Sequence, residues 1–325
     1  MFLTICLNPT IQKTLRFPSI TPNTVNRTAF HRLDASGKGI NVTRVLTQLG
    51  KKAVHLTQLG GDFRPLFLSL CEQDGLSVEW VESNTTAAGE TSGRAGEIRF
   101  CYTVLNENDK TVTELVEESR GVAAGTEERL LEKFISIIGK ILYENTKDTA
   151  GRNDSPDTII ISGTKAAGFS DFIIPEMTRK AKENGLRIIL DIKGNDLIES
   201  LKYEPDIIKP NLEEFLQTFG IGTDKTRINA DYDDLRGLVL ELAQKHKCRI
   251  VLTNANKKII AAEKDSYFEI DVPVVNTVNS TGCGDAFTAG FAAALENGAD
   301  FKTAINEGMR CGALNAGLER PGTIR

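Results

Sequence analysis

The residues best suited to chemistry stand together in Asn279-Ser280-Thr281-Gly282-Cys283-Gly284-Asp285, a small-residue turn that runs directly into the apolar stretch Ala286 to Leu295. That stretch predicts a helix, whose first turn offers unpaired main-chain N–H groups and the positive end of the helix dipole. Glycines at 282 and 284 let an anion come close to those amides, and Asp285 adds a fixed carboxylate. Donors for a developing negative charge beside a base are the parts that phosphoryl transfer to a hydroxyl requires. A tight turn before a buried, Ala-rich helix accounts for the same residues without any chemistry.

Such a turn needs elements to hold it in place. Short β-rich runs alternate with amphipathic helical ones, the pattern of a mainly parallel sheet covered by helices on both faces, an α/β fold. The clearest strands are 2–7, 53–58, 158–162, 187–191, 207–209 and 249–254. Helices are predicted over 39–49, 65–73, 126–143, 172–184, 211–219 and 233–245. Two regions break the alternation: 13–33 has little helical period, and 97–117 reads as a hairpin around Asn106-Glu107-Asn108-Asp109. Both are assigned to a small β-layer at the sheet's edge, suited to cover a ligand. A further hairpin, 258–262 with 267–270, belongs at the far edge of the main sheet, and the polar run 144–155 reads as a surface loop.

In open parallel sheets, ligands bind beyond the carboxyl ends of the strands. Asn8, Ser162-Gly163-Thr164, Asp191-Ile192-Lys193-Gly194 and Lys209-Pro210-Asn211-Leu212-Glu213-Glu214 stand at such ends. Asn211 and Glu214, three apart at a helix start, can share a face and hold a hydrated Mg²⁺; the same spacing serves equally as a helix cap and its capping-box partner. Asp34 to Val42 is a second glycine-bearing turn before a helix, and it is not the nucleotide-binding G-x-x-x-x-G-K-[ST], since Gly39 and Ile40 follow Lys38.

The bulk figures narrow the partners. With 325 residues, 40% hydrophobic and 26% charged, the chain resembles an ordinary soluble protein. A net charge of −5 without a dense Lys/Arg run speaks against nucleic-acid or anionic-membrane surfaces. The beginning of the chain lacks a signal-peptide pattern and no stretch is long and apolar enough to span a bilayer, which predicts a cytoplasmic protein. In that setting Asn84-Thr85-Thr86 carries no weight as a glycosylation site. Six scattered cysteines without a C-x-x-C pair read as reduced core or turn residues, and three dispersed histidines form no zinc pattern.

The two glycine turns, the N-x-x-E spacing and the edge β-layer together resemble the PfkB-type, ribokinase-like carbohydrate kinases over the whole chain. Leu7-Asn8-Pro9, Val25-Asn26-Arg27, Gly37 to Leu46, Lys209-Pro210-Asn211 and Asn279 to Gly282 are most similar to the sugar-phosphate kinases of that family, 1-phosphofructokinase and tagatose-6-phosphate kinase. The resemblance implies a single ribokinase-like three-layer α/β/α domain over residues 1–325, a β-lid from about 13–33 and 97–117 that forms a homodimer contact, and ATP with Mg²⁺ as cofactors. It implies a ketohexose phosphate as acceptor: fructose 1-phosphate, fructose 6-phosphate or tagatose 6-phosphate. An unphosphorylated sugar or nucleoside, or binding of a sugar phosphate without turnover, stay open.

Carried over by position, Asp285 resembles the catalytic base, and the amides of Gly282, Cys283 and Gly284 the anion hole. Gln12, Gly37, Lys38, Gly39, Asn41 and Ser162 fall on the sugar side. Arg27 and Arg99 would face the substrate's phosphate, where guanidinium forks pair well with oxygens; a solvated strand face is the alternative. Lys209, Asn211, Glu214, Thr253, Asn254, Ala255, Lys258 and Asn315 fall on the nucleotide side, with Mg²⁺ at Asn211 and Glu214. The chain departs from the family at Gln12 for a usual Asp, Ser36 for Gly, Cys283 for Ala, and Ala255 and Lys258 for two glycines.

Overall fold

The computed structural model describes residues 1–83, 95–147, 157–220 and 232–325. Nine strands make the main sheet: β1 (Phe2–Ile5), β4 (Ala53–Leu59), β5 (Ser77–Glu82), β8 (Thr158–Ser162), β9 (Arg187–Asp191), β10 (Ile207–Ile208), β11 (Arg249–Leu252), β12 (Lys258–Glu263) and β13 (Ser266–Asp271). Their order is β13-β12-β11-β10-β9-β8-β1-β4-β5, parallel from β5 to β11, with β12 and β13 added antiparallel. The order reverses direction between β1 and β8, the place where ligands bind in open sheets.

Burial on both faces dictates the composition of these strands. Leu3 and Ile5, Ile159 and Ile161, Ile188 and Leu190, and Ile250 and Leu252 face one apolar core. Phe2, Ile160, Ile189 and Val251, which alternate with them along the strands, face the other. The first core is closed by α3 (Thr126–Lys147), α4 (Ile173–Glu183), α5 (Asn195–Leu201), α6 (Leu212–Thr218) and α7 (Tyr232–Lys245). The second is closed by α1 (Lys38–Gln48), α8 (Cys283–Glu296) and α9 (Phe301–Ala316). This is the expected α/β/α sandwich.

A four-stranded sheet, ordered β3-β2-β6-β7, contains β2 (Thr10–Phe17), β3 (Phe30–Ser36), β6 (Arg99–Asn106) and β7 (Thr111–Val116). A third apolar cluster, with Ile11, Ala35, Ile98 and Phe67 of α2 (Arg64–Gln73), joins it to the body. β2 follows β1 after four residues, so the sheet starts at Thr10, earlier than the expected 13. β2 and β6 pair in parallel although no local crossover joins them, because the chain makes α1, β4, α2 and β5 in between.

β5, α5 and α9 were not singled out in the sequence. The reading of 144–155 as a loop is corrected at its start, where α3 continues through Lys147. The rest of that run, and Asn84-Thr85-Thr86, lie outside the described residues. The cysteines are free, as expected, and five of the six are buried. His55 is a core histidine: wholly buried, with Nδ1 2.8 Å from Thr4 Oγ1, and burial pushes its imidazole down to about 3. Among the described residues no helix is long and apolar enough to cross a membrane.

Candidate active site

Gly282 caps α8 in a left-handed conformation, φ 82°, and a Cβ there would lie 2.3 Å from the Gly322 nitrogen. Only glycine fits that turn against the C-terminal segment. A Cβ on Gly284, by contrast, would meet nothing within 4 Å. Its surroundings are open to solvent, and among the described residues the N–H groups of Gly284 and Asp285 have no acceptor. The Cys283 N–H reaches Ser280 O at 3.3 Å, and burial raises its thiol above the ordinary value, so the side chain is neutral. A helix start with free N–H groups is the kind of place that can dock an anion.

Asp285 stands in the first turn, 6% exposed, and accepts a hydrogen bond from Asn41 Nδ2 at 2.8 Å. Burial, with a smaller push from Asp191, raises its carboxyl to about 6; Lys38, Asn41 and Lys209 oppose the rise. A carboxylate tuned to this range is a competent general base near neutral pH.

Beneath it lies a buried charge cluster. Asp191, at the end of β9, holds Lys38 Nζ at 3.3 Å with one oxygen and Lys209 Nζ at 3.2 Å with the other, while Thr288 Oγ1 donates at 3.2 Å. Burial works to neutralise Asp191, and its two lysines hold its carboxyl below the ordinary value. Burial likewise works against the Lys38 ammonium, but Asp191, Glu214 and Asp285 hold it well above the ordinary lysine value. Lys38, Asp191 and Glu214 line a cleft cavity of about 160 Å³, with Cys6, Asn8, Gly37, Arg99, Gly163, Thr164, Ile192 and Lys193. The cavity opens at the carboxyl ends of β1, β8 and β9.

Asn211 and Glu214 form a complete capping box on α6: Asn211 Oδ1 accepts from Glu214 N at 2.8 Å, and Glu214 Oε2 from Asn211 N at 3.1 Å. The two sequence readings are not exclusive, since Glu214 Oε1 is turned to the cleft, 3.6 Å from Lys38 Nζ. One carboxylate oxygen at the rim suits a cation that keeps most of its water. Among the described residues no three His, Cys, Asp and Glu side chains gather to hold a bare metal ion. Two buried polar atoms beside the cleft lack partners among the described residues, Arg99 Nε and Ser162 Oγ. Both suit a polar ligand.

The other expected site residues fall into three groups. Gly37, Lys38 and Arg99 line the cleft, and Asn41 binds the Asp285 carboxyl. Gln12 is buried in the small sheet, where Nε2 donates to Thr103 Oγ1, and Gly39 packs so closely on His55 and Cys6 that a Cβ would lie 2.6 Å from the imidazole. Lys209 is 2% exposed and faces Asp191 and the Phe287 ring; Asn315, fully buried, ties Thr281 O to Thr323 N. Neither reaches the described cleft. Thr253 accepts the Leu212 N–H and so anchors α6, Asn254 opens an exposed turn closed by Lys257, and Ala255 there has φ 47°. Lys258 pairs with Glu269 at 2.8 Å, and Arg27 is exposed on the connection between β2 and β3.

Asp191 and Arg44 are site residues that the sequence reading did not assign. A charged residue closing an otherwise apolar strand was the available signal for Asp191. Arg44 is 2% exposed and donates from Nη1 to Asn41 Oδ1 at 2.9 Å, fixing the amide that holds Asp285, while its Nε donates to Asp74 at 2.9 Å. Glu114 of the small sheet accepts from Thr281 Oγ1 at 3.1 Å, which brings β7 onto the turn that precedes α8.

Known structures share this architecture. Escherichia coli phosphofructokinase-2, in complex with potassium, is similar with a TM-score of 0.79 at 19% identity, covering 98% of this chain and 93% of that one. A possible 1-phosphofructokinase from Thermotoga maritima gives 0.77 at 21% identity, with 99% and 94% covered. Ribokinase from Thermotoga maritima gives 0.63 at 14%, again with 99% and 94% covered. The sequence matches the profile of the pfkB family carbohydrate kinases over residues 2–136 and 118–324. With a ribokinase-like fold, and a profile match reaching from the first strand to the C-terminal segment, the chain belongs to the pfkB family and is a carbohydrate kinase.

Proposed function

We propose that this kinase transfers the γ-phosphoryl group of ATP to a free hydroxyl of a ketohexose phosphate, with Asp285 as the general base. The observation that carries the reading is the pairing of a buried carboxyl raised to about 6 with unclaimed N–H groups of Gly284 and Asp285 at one helix start. Asp285, oriented by Asn41, takes the proton of the attacking hydroxyl. The free amides meet the charge that develops on the moving phosphoryl group. Lys38, lining the cleft and held between Asp191 and Glu214, supplies a positive charge there. Mg²⁺ on the donor's phosphates would neutralise their charge, and Glu214 Oε1 with Asn211 at the rim is the set fitted to its water shell. The chemistry is in-line: the O–H proton passes to Asp285, the new O–P bond forms, and ADP leaves.

Arg99 supports an acceptor that already carries a phosphate, since its buried Nε has no partner among the described residues. The small sheet serves as the lid, and the exposed apolar residues Leu115 and Val116 at its β7 edge, with Val25 on the connection between β2 and β3, are offered to a second copy of the chain. The test is a panel of hexoses and hexose phosphates with MgATP, read as ADP release. Turnover with at least one of fructose 1-phosphate, fructose 6-phosphate and tagatose 6-phosphate is expected, with Asp285→Ala losing most of the rate while keeping its fold. Full activity in Asp285→Ala removes the base assignment. Turnover restricted to unphosphorylated sugars removes the assignment of Arg99, and binding without turnover removes the kinase chemistry of this site.

A further inference from the structure

A second, larger cavity of about 600 Å³ shares no lining residue with the cleft and lies between β3 and the C-terminal segment. Its size falls in the range of small-molecule sites. Phe30, Val278 and Leu318 give it apolar wall, and Arg32, Arg320 and Arg325 give it charge.

Several guanidinium groups gather there. Three guanidinium groups, Arg32, Arg44 and Arg320, share two carboxylates, Asp34 and Asp74. Arg32 Nε lies 2.9 Å from Asp34, Arg44 Nε 2.9 Å from Asp74, and Arg320 Nη2 bridges both, 2.9 Å from Asp34. Glu319, the acidic residue of the lining, pairs with Arg16, which also lies 3.8 Å from Glu107. Burial pulls the Arg44 guanidinium below its ordinary value and the neighbouring Arg320 adds to this, while Asp74 and Asp34 oppose it. Arg320 Nε is buried with no acceptor among the described residues, and Arg32 meets Asp34 through Nε alone. Donors left over from incomplete pairing are what a phosphate group satisfies in forked geometry.

We propose that this cavity is a second anion site, separate from the cleft, that takes a small phosphate-bearing molecule with an apolar part. The incompletely paired guanidinium donors of Arg32, Arg320 and Arg325 bind the phosphate, and the Phe30, Val278 and Leu318 wall takes the remainder. The proposal stands whether or not the acceptor of the kinase reaction is a ketohexose phosphate.

The experiment is calorimetric titration of the full chain with inorganic pyrophosphate in metal-free buffer, on the parent protein, on the Arg32→Gln/Arg325→Gln double variant and on Lys38→Met. These two arginines are exposed and lie outside the cleft, so circular dichroism melts matching the parent are expected. The expected result is saturable binding that weakens at least tenfold in the arginine variant and is retained in Lys38→Met. Absence of binding to the parent, or binding lost in Lys38→Met and kept in the arginine variant, overturns the proposal.

Discussion

Replacing Asp285 by asparagine is expected to stabilise the protein while abolishing its activity. In the fold the carboxyl is raised from 3.8 to about 6, and burial is the principal cause. The folded state therefore binds this proton more tightly than the unfolded chain, so the carboxyl is harmless to stability below pH 3.8 and costs most once pH has risen through 6. A rise of roughly two pH units corresponds to about 3 kcal/mol at pH 8, about half of that at pH 5, and under about 1 kcal/mol near pH 4. Asp285→Asn removes the ionisation yet keeps a carbonyl oxygen for Asn41 Nδ2, so it recovers most of this energy. Urea unfolding of parent and variant at pH 8 and pH 5 measures it: the variant is more stable at pH 8, and the gap closes by about half at pH 5. A gap of the same size at both values, or a variant less stable than the parent at pH 8, refutes the account of Asp285 as a carboxylate held against its solvation. The same raised pKa predicts that kcat/KM of the parent falls as pH drops below about 6, because the protonated form cannot accept the hydroxyl's proton.

Three further outcomes follow from particular side chains. Gly284→Val, at a position where a Cβ meets nothing in the protein, should leave the urea midpoint nearly unchanged while cutting turnover about a hundredfold or more by crowding the free amides; an active variant would mean that no anion sits there. Ala255→Gly should stabilise the fold by up to about 1 kcal/mol, since alanine now holds a left-handed φ of 47°, and unfolding experiments that show no gain would mean that the turn differs in solution. Arg99→Gln should raise KM for the sugar phosphate about tenfold or more and leave KM for ATP alone, read from two substrate titrations; equal effects on both would place Arg99 on the donor instead.

The parts of the fold legible in the sequence were those whose pattern has one physical cause. Ile159-Ile160-Ile161 is apolar without a break because alternate residues enter two different cores, and the predicted bounds of the strand, 158–162, match β8. The hairpin around Asn106 to Asp109 was visible because polar turn residues separate two alternating runs. α9 escaped notice because Gly308, Gly312 and Asn315 interrupt its apolar period. Those residues answer to neighbours far away in the chain: a Cβ on Gly308 would lie 3.0 Å from the Phe287 ring of α8, and Asn315 binds Thr281 and Thr323. No local pattern records such a requirement.

The candidate site divides in the same way. Gly282, Gly284 and Asp285 could be read as a unit because a helix start supplies the amides, the dipole and the first-turn carboxylate within four consecutive residues. The groups that tune the carboxylate could not, because they come from separate elements: Asn41 and Lys38 from α1, Asp191 from β9, Lys209 from the end of β10. Lys209 illustrates the limit. By position it stands next to the motif expected to face the nucleotide, yet the register of β10 against β9 turns its side chain inward to Asp191. Lys38 takes the exposed place instead, since α1 begins where Gly37 turns the chain over the end of β1. Spacing along the chain thus identified which residues share a turn, while the division of labour between two lysines was set by sheet register.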